Sequence, residues 1–328
     1  MGIRDLNKFI KNKCIHNVNK NVNNTNNNTN NNNNKSIECI PLKFLKNKKI
    51  AVDISIYLYK FAEDDRLIEH MTHLIERFKY YKITPIFVFD GKPPEEKKKL
   101  LNDRYLKKIQ SEKEYKELEK ETKIENKEIN KEIQQKLDSL KKKCIFIKKE
   151  QTNSIKELIS SKGGIYIQYT NEADELCAWL TKEKKVWGCL SEDMDLFVYG
   201  CSRVYRSLNL LNDTVVCYQT KNILNTLNVT SEEFKEICVL SGTDYSLDSS
   251  SSFSKSHSLY QTYQYFQEYK QDKIQNFLYI DFYPWLQKKH PEYIENIEEL
   301  LNIKKMFDLS FDKNYLEIAG TIQNSKWE

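Results

Sequence analysis

Seven acidic residues lie in short motifs, and most of them follow an apolar run directly. They are Asp53 after KIAV, Asp90 after PIFVF, Glu172 and Asp174 after IYIQYTN, Asp193 and Asp195 after VWGCLSE, and Asp244 in VLSGTDY. Short apolar runs of this kind predict buried strands. In open α/β sheets, ligands bind at the carboxyl edge of the strands. We therefore expect these acids to converge at one edge, with Asp244 closing the site from a helical segment.

So many carboxylates need a counter-charge. Two like charges about 4 Å apart repel by roughly 4 kcal/mol at an effective dielectric near 20. Within these motifs the sequence offers only Lys92, beside Asp90. Oxygen ligands without His or Cys favour Mg²⁺, with Mn²⁺ as a substitute, over zinc. Two such ions about 4 Å apart are suited to hydrolysis of a phosphodiester, which is the chemistry that the seven acids indicate.

Each acid alone also has a purely structural interpretation. Asp at a strand end or a helix N-cap is common, and Asp174 or Glu175 is well placed to cap the helix after Asn171. The five motifs together favour a shared site over five separate caps. His70 and His73 have no third ligand nearby in the sequence, and none of the eight cysteines forms a C-x-x-C pair, so neither residue type predicts a metal site.

The alternation of strands and helices predicts an α/β fold whose central sheet is mostly parallel and flanked by helices. The expected strands are 49–54, 85–90, 165–169 and 186–190, with a hairpin over 203–218 that turns at Asn212 and Asp213. One long helix is expected over 55–81. A second is expected from Glu172 to about Lys184.

The organisation along the chain follows from composition. Residues 1–16 have the spacing of an amphipathic helix, and the Asn-rich residues 17–34 are typical of a disordered insertion. The main domain then spans 35–245. Within it, residues 92–150 contain 19 Lys and Arg against 13 Asp and Glu, which predicts an exposed, basic, helical projection rather than a solvated coiled coil. Residues 246–328 are predicted to be helical.

In order, the motifs resemble those of the flap endonuclease and XPG family of structure-specific 5′ nucleases. The matching segments are MGIRDLNKFI, IAVDISIYLYKF, VFDGKPPEEKKKLLNDR, NEADELCAW, SEDMDLFVYG and LSGTDY. The resemblance implies a PIN-like 5′ nuclease core, in which residues 92–150 form the helical arch. It also implies that the seven acids bind metal, with Asp174 standing where the family usually has Glu.

The resemblance extends to other residues of the site. It assigns Lys97 and Arg104, at the base of the arch, to the scissile phosphate; the alternative for Lys97, which lies in a lysine run, is a merely solvated side chain. Tyr59 matches the aromatic that stacks on a base beside the cleaved bond, or is a core residue of its helix. Arg66 matches a phosphate contact, and Gly2 matches a glycine near the site.

Two departures concern DNA binding. The family has a Gly-rich helix–two-turn–helix after the last acid, whereas this chain has a serine-rich stretch without glycine, in which Lys255 is a candidate phosphate contact. Residues 246–328 therefore resemble a degenerate form of that duplex-binding region. The C-terminal TIQNSKWE lacks the motif that tethers many relatives to a sliding clamp. We expect a monomer.

The implied activity is metal-dependent cleavage of branched or nicked DNA with a 5′ single strand, during replication or repair. The sequence leaves open a 5′→3′ exonuclease or RNase on the same core, and a non-catalytic nucleic-acid-binding scaffold. No apolar run approaches the roughly 18–20 residues of a membrane span. With no secretory leader and an Asn-, Ile- and Lys-rich composition typical of A+T-rich genomes, we expect an intracellular protein of the nucleus or of a viral replication site.

Overall fold

The computed structural model describes residues 2–22, 35–63, 65–124, 131–245, 257–276, 280–309 and 313–323. Seven strands form one mixed sheet, and their carboxyl ends are where the sequence places most of the acids. The strands are β1 (Ile37–Pro41), β2 (Lys49–Asp53), β3 (Thr84–Phe89), β4 (Ile165–Gln168), β5 (Gly188–Leu190), β6 (Arg203–Asn209) and β7 (Thr214–Gln219).

The sheet has the order β1-β7-β6-β5-β2-β3-β4. Five strands run parallel to one another, in the order β4, β3, β2, β5 and β6. Strands β7 and β1 then extend the sheet from β6 with antiparallel pairing. The mostly parallel sheet predicted from the sequence is therefore confirmed. Strand β2 is the middle one of the five parallel strands, so its carboxyl end is flanked by those of β3 and β5.

Fourteen α-helices are present in the described ranges, together with two short 3-10 turns at Leu42–Leu45 and Glu95–Lys97. The helices are α1 (Leu6–Val22), α2 (Ile54–Phe61), α3 (Leu67–Tyr80), α4 (Lys98–Ile124), α5 (Lys131–Lys143), α6 (Lys149–Ser161), α7 (Ala173–Lys182), α8 (Asp195–Val198), α9 (Thr220–Leu227), α10 (Ser231–Ser241), α11 (Leu259–Asn276), α12 (Phe282–Lys289), α13 (Ile297–Met306) and α14 (Lys313–Gln323). None of those described is long and apolar enough to cross a membrane.

Helices cover both faces of the sheet. Alternate residues of β2 point to opposite faces, so Ala51 lies in one apolar core with residues of α1, α7 and α10, while Ile50 and Val52 lie in the other with residues of α2, α3 and α6. Parallel strands covered on both faces are near-continuously apolar. This explains why runs such as PIFVF carry no polar alternation, and why the acids appear only where those runs end.

Helix α1 continues to Val22, six residues beyond the predicted end. The prediction that residues 17–34 form a disordered insertion is therefore wrong for 17–22, and 23–34 lie outside the described residues. Propagating a helix costs far less than nucleating one. The buried face that contains Ile3, Leu6, Phe9 and Ile10 nucleates α1, and the polar residues after it extend it.

The single helix expected over 55–81 is wrong, because it is two helices, α2 and α3. The chain turns at the charged residues between Phe61 and Leu67, where Asp65 has a φ of 61°. Asp tolerates this left-handed conformation better than most side chains. With no apolar residue to pack in the next turn, nothing favours continuation of the helix.

The basic projection consists of α4 and α5, as the composition predicts. Its two helices are anchored differently. Helix α4 begins next to the buried Lys97, whereas α5 is tied to the α2–α3 connection by the ion pairs Lys141–Asp65 (2.8 Å) and Lys142–Glu63 (3.2 Å). All four partners of these pairs are largely exposed. The strong attachment of the projection is therefore at the start of α4.

The hairpin over 203–218 is confirmed as β6 and β7. Its turn includes Asp213, whose carboxylate accepts hydrogen bonds from Arg77 Nε (2.6 Å) and Tyr81 Oη (2.9 Å). Strand β1, which pairs with β7, was not expected from the sequence. Its five residues become a strand through pairing with a partner about 175 positions away in the chain, which local pattern does not reveal.

Candidate metal centre

Asp53 and Asp90 come from neighbouring parallel strands. Asp53 is the last residue of β2, and Asp90 directly follows β3. Ser55 joins them, because its backbone N–H donates to Asp53 Oδ1 (3.3 Å) and its hydroxyl donates to Asp90 Oδ2. The start of helix α2 thus holds the two carboxylates side by side at the carboxyl edge of the sheet.

Glu172 and Asp174 are placed by the start of α7, after β4. Glu172 is the N-cap residue, but its side chain does not cap the helix. Instead Asp90 Oδ1 accepts a hydrogen bond from the Ala173 N–H (2.7 Å), so Asp90 satisfies one of the free donors at this terminus. The side chain of Asp174 accepts from the Glu175 N–H (2.8 Å). The carboxylate of one strand end therefore positions the helix that carries the next two acids.

Asp193 and Asp195 follow β5, and Ser191 orients the loop that carries them. The Ser191 hydroxyl donates to Asp53 Oδ2 (2.7 Å) and accepts from the Asp193 N–H (3.0 Å). Asp193 Oδ1 in turn accepts from the Asp195 N–H (3.0 Å). A continuous chain of hydrogen bonds thus links the end of β2, the loop after β5 and the start of α8.

Gly2 packs directly against the acids. Its N–H donates to Asp244 Oδ2 at 3.4 Å, and its φ of +82° is unfavourable for residues with a Cβ. A Cβ at this position would stand 2.3 Å from Asp195 Oδ1 and 2.6 Å from Asp193 Oδ1. Only glycine fits here. Its backbone lies against Asp193 and Asp195 from one segment and Asp244 from another.

If the site performs the phosphodiester hydrolysis that the acids predict, a Gly2→Ala substitution should slow cleavage by about 10²-fold, since displacement of reacting groups by about 1 Å can cost that much. The added methyl group must push Asp193 and Asp195 aside. Cleavage of a labelled substrate at saturating enzyme would measure the effect. The matched control is Gly320→Ala, whose Cβ would meet nothing within 4 Å. Equal activity of the two variants would contradict the assigned contact.

Lys97 lies among the acids with only 6% of its surface exposed. Its Nζ donates to Glu172 Oε2 (2.6 Å) and lies 4.5 Å from the centre of the Tyr245 ring. Burial lowers the pKa of Lys97, but Asp174, Tyr245 and Glu172 outweigh that effect and hold the pKa above its ordinary value. This lysine therefore remains charged, and it is not merely one member of a solvated lysine run.

Arg104, about two helical turns after Lys97, reaches the other side of the acids. Its Nη2 lies 2.8 Å from Asp244 Oδ2, the same oxygen that accepts from Gly2. Two cations from the base of α4 thus pair with two of the seven carboxylates. The structure brings together all seven acids, both cations and Gly2.

Three of the acids have strongly raised pKa values. Burial, reinforced by the charge of Asp90, raises the pKa of Asp53 to about 7. Burial also raises the pKa of Asp174, although Lys97 opposes the shift, and burial together with Asp193 raises the pKa of Asp195. Lys97 and Arg104 do not neutralise the negative charge of this centre. The centre therefore favours a bound metal cation or bound protons.

The raised pKa of Asp53 predicts how stability depends on pH in EDTA. The ordinary pKa of aspartate is about 4. Between this pH and about pH 7, Asp53 holds a proton in the folded state but has lost it in the unfolded state. Stability should therefore fall as the pH rises through this window. Thermal unfolding from pH 5 to 8 would measure it, as a drop of several degrees. Asp53→Asn should make the profile less steep, with the remaining slope coming from Asp174 and Asp195, whose pKa values are also raised. Asp103→Asn, at an exposed acid, should leave the profile unchanged. A wild-type profile that rises with pH would contradict the assignment.

The donor set fits a hard divalent cation. In the ranges that the structure describes, no three Asp, Glu, His or Cys side chains are already arranged to hold a metal ion. The contacts explain this, because Glu172 forms an ion pair with Lys97 and Asp244 forms one with Arg104. Asp195 Oδ1, however, is buried with no hydrogen-bond partner. An orphaned buried carboxylate oxygen among other carboxylates is a natural ligand for Mg²⁺.

The remaining predicted site residues are more peripheral. Tyr59 is 43% exposed, which excludes a core position, and Lys108 Nζ lies 4.2 Å from the centre of its ring. Burial, with a contribution from Asp90, raises the pKa of Tyr59, so the ring lies on the Asp90 side of the site. Arg66 is exposed ahead of α3. Lys255 lies outside the described residues.

Ser55, Ser191 and Tyr245 are site residues that sequence reasoning missed. Each lies within two residues of a predicted acid, which is the signal that could have found them. Tyr245 Oη donates to Glu172 Oε2 (3.2 Å). Tyr245 also lines a cavity of about 500 Å³ with Lys92, Glu172 and Tyr199, beside the metal centre.

Acids cluster at the carboxyl edge of a mostly parallel sheet and face two cations, Lys97 and Arg104, at the base of a projecting helix. Two family models match the chain: the XPG N-terminal domain over residues 1–111 and the XPG I-region over residues 164–244. Together they span more than half of the sequence and contain all seven acids. The chain belongs to the flap endonuclease and XPG family.

Among curated relatives, flap endonuclease 1 of Aedes aegypti is 31% identical over 224 residues, which is 62% of this chain and 56% of that protein. Flap endonuclease 1 of Glycine max is 29% identical over 218 residues, covering 60% and 54%. The chain thus spans about half the length of the curated relatives it matches.

Solved structures share the fold. The catalytic core of Rad2 in complex with DNA substrate has a TM-score of 0.57 at 20% identity, covering 89% of this chain and 92% of that one. Flap endonuclease-1 from Methanococcus jannaschii has a TM-score of 0.53 at 22% identity, covering 84% of each. At these identities the likeness concerns the architecture.

Proposed function

We propose that this protein is a metal-dependent, structure-specific 5′ nuclease that hydrolyses phosphodiester bonds in DNA with a free or branched 5′ strand, during replication or repair. The observation that carries the proposal is the convergence of seven carboxylates with two cations, Lys97 and Arg104, at one sheet edge. Structural neighbours include Rad2 with DNA substrate and human GEN1 with Holliday junction DNA, which favours DNA as the polyanion.

All seven acids are the proposed metal ligands, for two Mg²⁺ ions that Mn²⁺ can replace. When bound, these ions supply an activated water and stabilise the leaving oxygen of the phosphodiester. Asp174 has a shorter side chain than the usual family glutamate, and we assign it a contact through water. Asp195 Oδ1, which is buried without a partner, is the ligand atom whose environment most requires a cation.

The side chains of the protein position and stabilise the substrate. Lys97 and Arg104 stabilise negative charge that develops on the scissile phosphate, since preorganised cations in a dry site are effective there. To reach the phosphate they must release Glu172 and Asp244, which frees those carboxylates for metal at the same moment. Tyr59 stacks on the base beside the cleaved bond once Lys108 moves off its ring. Arg66 and Lys255 contact phosphates of the bound DNA.

A panel of labelled substrates tests the proposal. Flapped, nicked, blunt and single-stranded DNA and single-stranded RNA would be incubated with the full chain in Mg²⁺, Mn²⁺ or EDTA. Cleavage of flapped DNA that requires a divalent ion is expected. Degradation from 5′ ends alone would identify a 5′→3′ exonuclease, and preferred cleavage of RNA would identify an RNase. Binding without cleavage under every condition would identify a scaffold and overturn the proposal.

The same proposal concerns assembly and location. A monomer suffices, because every proposed catalytic side chain comes from one chain. The C-terminal residues 324–328 lie outside the described part, and their sequence lacks the sliding-clamp motif. We place the activity where DNA is replicated or repaired, in a nucleus or a viral replication site. Size-exclusion chromatography with light scattering on the DNA-bound protein would test the monomer.

A further inference from the structure

The amino edge of the sheet, opposite the acids, carries a dense group of cations. Four loops meet there and are joined by backbone hydrogen bonds: Asn47 N–H to Lys82 O (2.8 Å), Thr84 N–H to Lys48 O (2.9 Å) and Trp187 N–H to Lys49 O (2.7 Å). Arg203 Nη1 adds a bond to Trp187 O at 3.4 Å. These contacts fix the loops before β2, β3, β5 and β6 as one continuous surface.

We define the amino-edge patch by its cations and its one exposed aromatic residue. Its members are Lys46, Lys48, Lys82, Lys184, Lys185, Arg203 and Trp187. In the described part of the chain, no carboxylate forms an ion pair with any of these six cations. Glu183 adjoins Lys184 in the sequence, and Glu38 of β1 is paired with Lys35 at 3.3 Å. The patch therefore presents uncompensated positive charge.

Trp187 is the centre of the patch. It is 40% exposed, and both Lys48 Nζ and the Arg203 guanidinium carbon lie 4.0 Å from the centre of its ring. The aromatic ring attracts both cations and so holds them near each other without an acid. Lys48 has a flexible end, so it can move to a phosphate and leave a ring face open to an unpaired base.

We propose that the amino-edge patch binds a segment of single-stranded DNA, as a second surface separate from the metal centre. The cations contact backbone phosphates, and Trp187 stacks on a base. Since strands of a sheet lie about 4.8 Å apart, the loops before four adjacent strands offer a row of cations rather than a single charge. Binding at this patch does not depend on cleavage at the opposite edge.

The chemistry of the patch favours single-stranded DNA over other polyanions. An acidic protein segment would match the charge but makes no use of an exposed indole between two cations. A duplex matches the cations, but its bases are hidden from Trp187. Single strands combine phosphate charge with accessible base faces, which is the combination that cationic and aromatic surfaces recognise.

Fluorescence anisotropy in EDTA tests the proposal on the full chain. The probe is labelled oligo-dT long enough to reach both sheet edges, titrated between about 50 and about 200 mM salt. The double variant Lys46→Gln/Lys185→Gln should lower the log–log salt slope by roughly 1.4, at roughly 0.7 per phosphate contact of a single strand. Trp187→Leu should weaken binding without changing the slope, because it removes stacking and no charge.

The matched control is Lys11→Gln/Lys288→Gln, which removes two exposed lysines from other faces. Its slope should remain that of the wild type, and melting temperatures of all variants would verify folding. Equal slopes for the two double variants, or an unchanged affinity of Trp187→Leu, would overturn the proposal. If the patch variant lost binding only to polyglutamate, or only to a DNA duplex, the patch would be assigned to that partner instead. Cleavage of a short flap substrate by the patch variant should stay at the wild-type rate, so a failed nuclease assay leaves this binding test intact.

Discussion

An Asp195→Asn variant should lose DNA cleavage by about a thousandfold, because metal ions stabilise transition-state charge by several kcal/mol and roughly 4 kcal/mol corresponds to that factor in rate. The side chain is 1% exposed and leaves Oδ1 without a partner. Asparagine keeps the size but removes the charge that binds a cation. Single-turnover cleavage of flapped DNA in Mg²⁺ would measure the loss.

The control for Asp195→Asn is Asp103→Asn, an exposed acid of α4 outside the cluster. It should cleave at the wild-type rate. Asp195→Asn should also be at least as stable as the wild type in EDTA, because it relieves the repulsion from Asp193. A variant that is stable and cleaves normally would remove Asp195 from the metal centre. A variant that unfolds would contradict the assigned repulsion.

A Lys97→Ala variant should cleave about 10²- to 10³-fold more slowly, the effect of removing one preorganised group that stabilises a developing charge. The neighbouring Lys98 is the matched control, since it is exposed and forms its ion pair with Glu95, another exposed residue three positions earlier. Lys98→Ala should retain normal activity. Rapid-quench kinetics at saturating enzyme would separate this chemical step from binding.

The affinity of Lys97→Ala for DNA in EDTA should change far less than its cleavage rate. A loss that appears in binding alone would identify Lys97 as a simple phosphate contact. Lys97→Arg keeps the charge and distinguishes charge from position. Equal slowing by Lys97→Ala and Lys98→Ala would show that the lysine run acts only through its total charge.

The parallel sheet and the position of the acids could be predicted because both follow from local pattern. Buried parallel strands are continuously apolar, so their ends are marked by the first acid that follows them. Asp53 and Asp90 are the clearest cases, since each ends or directly follows its strand. The order of strands in the sheet then determines which acids meet.

What the sequence did not reveal depends on contacts between distant residues. Ser191 is one serine among many until it is seen to bridge Asp53 and Asp193. The amino-edge patch has no motif at all, because its cations come from four loops that only the sheet brings together. The pairing of β1 has the same origin, since tertiary packing overrides local propensity.

The unequal anchoring of the projecting helices has a mechanical consequence. Exposed ion pairs such as Lys141–Asp65 and Lys142–Glu63 typically contribute about 0–1 kcal/mol each and weaken with salt. Helix α4 is fixed through the buried Lys97. A rise in ionic strength should therefore loosen the contact between α5 and the α2–α3 connection before it affects the start of α4.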